Sequence, residues 1–423
     1  SGGVSLDCLV VRGSKPLKGQ VRISGSKNST LPIMAASLLC CGEVVLTGVP
    51  DLEDIKVMAQ ALEVLGAKVK REKDVLIIDG STVNRVELPE EISRKMRASN
   101  LVMGALLSRF HQARVAYPGG CAIGTRPMDL HLKGFQSMGF NIREEYGYME
   151  GTAGSLRGQE ILLDFPSVGA TENLIMAATL LPGTTVLRNA AREPEIVDLQ
   201  NFLNRMGAKI RGAGLDTIRI EGVSRLGGVE HAVIPDRIEA GTFMVAAAIS
   251  RGEVTIENVV VEHVQSVVSK LREIGVEVLT SNSGIKVVGG GRLRPCDIKT
   301  MPYPGFPTDM QPQFMALLSS VRGTSVLVET IFENRFMHVQ ELRRMGADIK
   351  VEGRVAIIKG KNRLEGASVE ATDLRAGAAL ILAGLFAEGE TQIHRVDHID
   401  RGYDKIHVKL QSLGADITRG PRT

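Results

Sequence analysis

From Tyr117 to His131 the chain reads Tyr-Pro-Gly-Gly-Cys-Ala-Ile-Gly-Thr-Arg-Pro-Met-Asp-Leu-His. Three glycines and two prolines among fifteen residues make this a loop. Gly119 and Gly120 allow positive φ or a close approach of backbone to a ligand. Cys121 follows directly, with Arg126, Asp129 and His131 within ten residues of it. A thiol can serve as nucleophile or proton donor, and a guanidinium binds anions. The stretch therefore has the parts of an active-site loop. The same composition also fits a surface Ω-loop with a buried cysteine.

Further charged residues stand where apolar helices begin. Ser24-Gly25-Ser26-Lys27-Asn28 opens one such helix, a place suited to phosphate or carboxylate. A cap beside a solvated lysine is the alternative there. Arg97 precedes a second, and Asp236 with Glu239 reads as a capping pattern opening a fourth. Pro307-Thr308-Asp309-Met310-Gln311 opens a fifth. Thr308 and Gln311 read as its capping box, leaving Asp309 free for other work, although an acid in a first turn also suits the helix dipole. Arg375 opens a sixth against the dipole preference, which predicts an anionic partner. Arg335 and Arg401 lie in loops. Lys27, Arg97, Arg126, Arg335, Arg375 and Arg401 all fall at equivalent ends of a repeating unit, which points to a polyanion site. Scattered surface salt bridges explain each one singly and their shared placement poorly.

That unit is the clearest feature of the chain. A helix ending in Leu/Met/Ile-Gly-Ala-x-Ile/Val recurs with glycine at 66, 139, 207, 275, 346 and 414, at gaps of 73, 68, 68, 71 and 68 residues. Phe140 and Val276 replace Ala in the two degenerate copies. The glycine reads as a helix C′ residue and the alternating residues after it as a strand. Each unit also carries a helix rich in Ala, Gly, Leu and Met, at about 31–39, 99–107, 171–181, 241–249, 310–319 and 375–386. Little polar face remains on these, so they belong inside a domain, with amphipathic helices such as 197–205 and 264–273 outside. A period near 70 residues is too long for the usual solenoids. Six units predict a closed pseudo-symmetric arrangement, three per domain, with the boundary near 233–235. The strand at 8–11 has no complete unit and is expected to finish the last one.

Composition narrows the function classes. At 423 residues the chain holds two or three domains, each able to bury a core. A net charge of +3 and 4% aromatics, without tryptophan, argue against a nucleic-acid partner. No apolar run reaches the roughly 18 residues of a membrane span, and the start, Ser-Gly-Gly-Val-Ser-Leu, lacks a secretory pattern. The five cysteines, Cys8, Cys40, Cys41, Cys121 and Cys296, are odd in number and show no metal spacing; Cys40 and Cys41 read as part of an apolar helix. A cytoplasmic protein with reduced thiols is expected.

The six-unit plan, Lys27-Asn28, the 118–124 cysteine loop, Arg126-Pro127-Met128-Asp129-Leu130-His131, Ala191-Arg192-Glu193-Pro194-Glu195, Phe306-Pro307-Thr308-Asp309-Met310-Gln311 and His398-Ile399-Asp400-Arg401-Gly402-Tyr403 together resemble the UDP-N-acetylglucosamine 1-carboxyvinyltransferases of the enolpyruvyl transferase family. The resemblance runs from Leu9 to Ile417. The cysteine loop separates that family from the enolpyruvyl-shikimate-phosphate synthases, which share the six-unit plan.

The resemblance implies an α/β fold: a two-domain inside-out α/β barrel of six helix-strand-helix-strand-strand repeats. Domains of residues 22–234 and 1–21 with 235–423 are implied, joined by a two-stranded hinge with the active site in the cleft between. It implies transfer of enolpyruvyl from phosphoenolpyruvate to the 3′-hydroxyl of UDP-N-acetylglucosamine, the first committed step of peptidoglycan precursor synthesis. By the same resemblance Cys121 is the acid at C3 and can bond covalently to phosphoenolpyruvate, and Asp309 is the carboxylate at the sugar hydroxyl. Lys27, Asn28, Arg126 and Arg401 match the phosphoenolpyruvate site, with Lys27 and Arg401 also among the catalytic groups. Arg97, Arg126, Pro127, Met128, Asp129, Leu130, Phe165, Pro166, Ser167, Val168, Asp309 and Ile331 match the sugar-nucleotide contacts. Arg335 and Arg375 match other cleft cations. No cofactor or metal, no nucleic-acid or membrane partner and a monomer are expected. A shikimate-pathway transferase and a non-catalytic UDP-sugar-binding paralogue are the competing readings.

Overall fold

The computed structural model describes residues 7–13, 15–119 and 128–421, and among these described residues the chain builds one four-stranded sheet and two main helices six times. The first helix of each repeat is nearly all apolar and is buried along most of its length: Lys27–Ala36, Val102–Phe110, Val168–Ala178, Arg237–Ile249, Gln311–Ser319 and Leu374–Phe386. Small residues let these helices touch closely. A Cβ at Gly104 would lie 2.3 Å from the Asn173 carbonyl oxygen, so only glycine fits that crossing. The second helices, such as Glu53–Val64 and Gln265–Ile274, are amphipathic and bury one stripe. The repeated glycines end them as expected. Gly66, Gly139, Gly207, Gly275, Gly346 and Gly414 all have φ between 87° and 111°.

Every sheet has the same internal order: a parallel edge pair, then two antiparallel neighbours. Glu87–Leu88 runs parallel to Gln112–Ala116, which pairs antiparallel with Tyr148–Ala153 and that in turn with Phe140–Glu145. No sheet closes on itself among the described residues, so the barrel of the expected fold name is an arrangement of separate sheets. Cys8 and its strand, Asp7–Arg12, lie between Glu390–His394 and Asp416–Pro421, so the first strand completes the last repeat.

Residues 25–119 and 128–234 form one compact unit among the described residues; 7–24 with 235–421 form the other. Each buries its own continuous apolar core and carries three of the six sheets. An exchange of edge strands accompanies this division. Lys18–Arg22 precedes helix Lys27–Ala36 in sequence, yet pairs parallel with Glu253–Glu257. Val229–Ala232 precedes helix Arg237–Ile249, yet pairs parallel with Glu43–Thr47.

Cys40 and Cys41 lie just past the helical segment ending at Leu39, not inside it. Cys40 is buried and Cys41 exposed. The apolar run misled because Gly42 and the strand Glu43–Thr47 follow at once.

Candidate active site

In the unit of residues 25–234 the candidate groups collect at the N-terminal ends of helices. The Ser26 side chain accepts the Ser29 N–H at 3.2 Å and caps Lys27–Ala36. Lys27 and Asn28 are its first two residues, both half-buried. Lys27 Nζ lies 2.7 Å from Asp54 Oδ2, with side chains 13% and 5% exposed. The cap is therefore present, but the solvated lysine is not. A cation at a helix N-terminus opposes the dipole, and Asp54 offsets that opposition. Ser29 Oγ donates to Asp198 Oδ2 at 2.5 Å, and the other Asp198 oxygen meets His231 Nε2 at 2.9 Å.

Arg97 opens the short 3₁₀ segment Arg97–Leu101. A buried amide ties this segment to the exit of the cysteine loop. Asn173 Nδ2 donates to the Asn100 carbonyl at 3.1 Å and to His131 Nδ1 at 3.0 Å, while its Oδ1 accepts Gly104 N–H at 2.8 Å. Burial, helped by the charge of Arg97, lowers the His131 pKa to about 3. His131 is thus neutral at pH 7, and Nδ1 can accept. Met128 is buried, and its Sδ accepts from Asn100 Nδ2 at 3.0 Å. Asp129 begins helix Asp129–Ser137 and is exposed; Leu130 is half-buried. Phe165 is exposed, Pro166 and Val168 half-buried, and Ser167 caps the next helix through Ala170 N–H at 3.2 Å. Cys121, Arg126 and Pro127, the expected acid, an expected phosphoenolpyruvate-binding cation and an expected sugar-nucleotide contact, lie outside the described residues. Burial first, and then the charges of Glu195 and Glu193, push the pKa of buried Glu172 well above the usual carboxylate range.

The other unit gathers a carboxylate and two guanidiniums that are far apart in sequence. Asp309 lies in the 3₁₀ turn Thr308–Met310. Its Oδ1 is 2.9 Å from Arg335 Nη1 and its Oδ2 is 3.3 Å from Arg375 Nη2. The two arginine side chains are 3% and 4% exposed, Asp309 27%. Arg375 thus has the anionic partner its position called for, and its guanidinium lies 5.3 Å from the centre of the Tyr403 ring. His338, also buried, is held neutral with its pKa near 4, by burial and by Arg335 against the pull of Asp373.

The capping box expected at Thr308 and Gln311 does not form. Neither this turn nor helix Gln311–Ser319 has a side-chain cap. Thr308 Oγ1 instead donates to Glu329 Oε1 at 2.9 Å, and Gln311 Nε2 to the Arg335 carbonyl at 2.8 Å. Only half of the Asp236–Glu239 pattern holds as well. Asp236 caps Ile238 and Glu239 N–H, both at 2.9 Å, but the Glu239 side chain turns to Ser24 N–H and Lys409. Longer-range partners outcompeted the local ones at both sites.

Ile331 joins the group through its backbone, which donates to Glu329 Oε1 at 3.1 Å. Arg401 follows the short helix Asp397–Asp400, half-buried, near His398, whose pKa is lowered first by burial and then by the charges of Arg395 and Arg401 against Asp397. The structure so brings together Asp309, Arg335, Arg375 and Ile331 in one unit, and Arg97, Met128 and His131 in the other. Sequence reasoning missed Asp54, Asn173 and Glu329. Only Glu329 left a signal, an acid closing the apolar strand sequence Val326-Leu327-Val328. Among the described residues no His, Cys, Asp and Glu cluster could hold a metal ion, and no helix is long and apolar enough to cross a membrane.

This arrangement can bind anions at helix starts and hold one carboxylate between two buried cations. The family EPSP synthase (3-phosphoshikimate 1-carboxyvinyltransferase) matches residues 11–410. The chain belongs to this family of enolpyruvyl transferases and is a transferase. It is similar along its length to the UDP-N-acetylglucosamine 1-carboxyvinyltransferase 1 of Caldanaerobacter subterraneus subsp. tengcongensis, with 59% identity over 411 residues, 97% of this chain and 99% of the relative. It is 55% identical to the UDP-N-acetylglucosamine 1-carboxyvinyltransferase 2 of Carboxydothermus hydrogenoformans, over 98% of this chain and 99% of that one. Among solved structures it resembles the enolpyruvyl transferase NikO from Streptomyces tendae, at TM-score 0.88 and 27% identity over 98% of both chains. The EPSP synthase of Acinetobacter baumannii, at TM-score 0.76 and 20% identity over 98% of this chain and 99% of that one, shares the fold.

Proposed function

We propose that this transferase moves the enolpyruvyl group of phosphoenolpyruvate to the 3′-hydroxyl of UDP-N-acetylglucosamine and releases phosphate. The full-length likeness to relatives bearing that name carries the reading. The Asp309 cluster supports it, because the reaction needs a carboxylate held in place beside cations.

In this reading the sugar oxygen adds to C2 of phosphoenolpyruvate while C3 takes a proton. C3 of the tetrahedral adduct then loses a proton as the C2–O bond to phosphate breaks. Cys121 delivers the first proton and can hold phosphoenolpyruvate covalently; Asp309 takes the proton of the sugar hydroxyl. Lys27, Asn28, Arg126 and Arg401 bind phosphate and carboxylate, with charge-assisted bonds worth roughly 1.5–3 kcal/mol each. Arg97, Arg126, Pro127, Met128, Asp129, Leu130, Phe165, Pro166, Ser167, Val168 and Ile331 bind the sugar nucleotide. Arg335 and Arg375 hold Asp309. The chemistry calls on no metal or cofactor, and the enzyme works as a cytoplasmic monomer at the first committed step of peptidoglycan precursor synthesis.

Phosphate release from phosphoenolpyruvate, measured with each acceptor, tests this. Release with UDP-N-acetylglucosamine and none with shikimate 3-phosphate is expected. Release with shikimate 3-phosphate alone overturns the reading, and release with neither leaves a binding protein.

A further inference from the structure

Glu329 is wholly buried at the end of strand Gly323–Val328 and accepts five hydrogen bonds. Its Oε1 takes Thr300 Oγ1 at 3.1 Å, Thr308 Oγ1 at 2.9 Å, Ile331 N–H at 3.1 Å and Phe332 N–H at 3.3 Å. Its Oε2 takes Gln311 Nε2 at 3.4 Å. Two of the segments it holds carry residues assigned to the sugar nucleotide: Thr308 precedes Asp309, and Ile331 is bound directly.

The direction of one proton links Glu329 to Asp309. Thr308 has a single O–H, and that hydrogen points to Glu329. The lone pairs of Thr308 Oγ1 are then free to accept from Arg335 Nη1, at 3.3 Å. The same Nη1 donates to Asp309 Oδ1 at 2.9 Å. Glu329, Thr308, Arg335 and Asp309 thus form one directed chain.

We propose that Glu329 is a positioning residue for the sugar-nucleotide half of the reaction, fixing the Asp309 carboxylate relative to the Ile331 backbone through Thr308 and Arg335. It touches neither substrate. The proposal rests on the reading of the chain as a UDP-N-acetylglucosamine enolpyruvyl transferase. Its effect falls on one substrate only, since among the described residues its hydrogen bonds go to Thr300, Thr308, Gln311, Ile331 and Phe332 and to none of the groups assigned to phosphoenolpyruvate.

The test compares Thr308→Val, Glu329→Gln and Thr300→Val with the wild type. Valine at 308 keeps the shape and removes the link to Arg335. Glutamine at 329 weakens four acceptor bonds and faces the Gln311 amide with a second donor. Thr300 also binds Glu329 but lies off the chain to Asp309, so Thr300→Val reports general damage to the buried acid. The measurements are KM and kcat with UDP-N-acetylglucosamine, and the rate at which an epoxide phosphonate alkylates Cys121 without sugar nucleotide. Thr308→Val and Glu329→Gln should each raise the sugar-nucleotide KM and lower kcat, giving about a tenfold loss or more in kcat/KM. Alkylation should stay near wild type, and Thr300→Val should lower the melting temperature without moving KM. If Glu329→Gln does not fold, Thr308→Val decides alone. Unchanged constants in Thr308→Val overturn the proposal, as does a parallel loss in Thr300→Val or in alkylation. A wild type without turnover on UDP-N-acetylglucosamine sinks the functional reading first, before any variant is compared, and this proposal with it.

Discussion

Removing the Asp309 carboxylate should cost both stability and turnover, and the two losses can be separated. Asp309 bonds two guanidiniums at 2.9 and 3.3 Å that are nearly buried. Asp309→Ala leaves both cations facing each other with their shared counter-charge gone. Breaking a buried pair this way costs about 3–5 kcal/mol. Asp309 itself is 27% exposed, so water can enter the gap, and the low end, about 3 kcal/mol, is expected. Asp309→Asn keeps one oxygen as acceptor and should cost roughly half as much. Turnover should fall in both, by about 10²–10⁴, because neither side chain can take a proton from the sugar hydroxyl. Denaturant melts give the first quantity and single-turnover phosphate release gives the second. Both measurements must be made where each variant is fully folded. An Asp309→Ala protein as stable as the wild type would refute the claim that this carboxylate holds the arginines. An Asp309→Asn enzyme with more than a tenth of wild-type turnover would refute the assignment of the base.

Other outcomes follow from pairs and burial. Lys27→Ala removes the ion pair with the 5% exposed Asp54 and should destabilise by up to about 3 kcal/mol; adding Asp54→Asn should restore the melt but not turnover, and a recovery of turnover would remove Lys27 from the phosphoenolpyruvate site. Burial raises the Glu239 pKa from 4.5 to about 7, against the pull of Lys409. The folded state therefore holds this proton more tightly than the unfolded chain, so its contribution is full below pH 4.5 and is lost as pH climbs to 7, by up to about 3 kcal/mol. Glu239→Gln should remove that slope in melts at pH 4.5 and 7.5, and an unchanged slope would assign it elsewhere. A neutral alkylating reagent should label exposed Cys41 as well as Cys121, whereas fosfomycin, an epoxide phosphonate, should modify Cys121 alone and be blocked by phosphoenolpyruvate. Peptide mapping that finds fosfomycin on Cys41, or no protection, would count against the assignment of Cys121.

What the sequence made legible was local or periodic. The six helix-ending glycines needed only the left-handed conformation that glycine tolerates, and all six adopt it. The buried helices were readable because a helix with no polar face has nowhere else to go. Partners distant in sequence were not readable. Thr308 and Gln311 have the spacing of a capping box, yet Glu329, some twenty residues on, takes the threonine proton. Lys27 looks solvated until Asp54 is folded against it. The exchange of Lys18–Arg22 and Val229–Ala232 was invisible for a related reason. An edge strand's alternation gives its face and not its neighbour.

That exchange has a consequence for how the chain can be divided. Ser26 N–H bonds the Ile234 carbonyl at 2.7 Å, so both ends of the 25–234 unit lie side by side. Asp236 N–H bonds the Ser24 carbonyl at 2.9 Å, so the break in the other unit is equally narrow. The molecule has the layout of a guest inserted into a host. The guest's strands all lie within one continuous stretch of chain, so it can fold on the ribosome before the host's C-terminal segments emerge. The host's first strand, Asp7–Arg12, must wait for Asp416–Pro421, which is made long after it. Cutting out the guest and joining residues 24 and 235 with a short turn should yield the host as a separate soluble protein, and the guest alone should need no added linker at all.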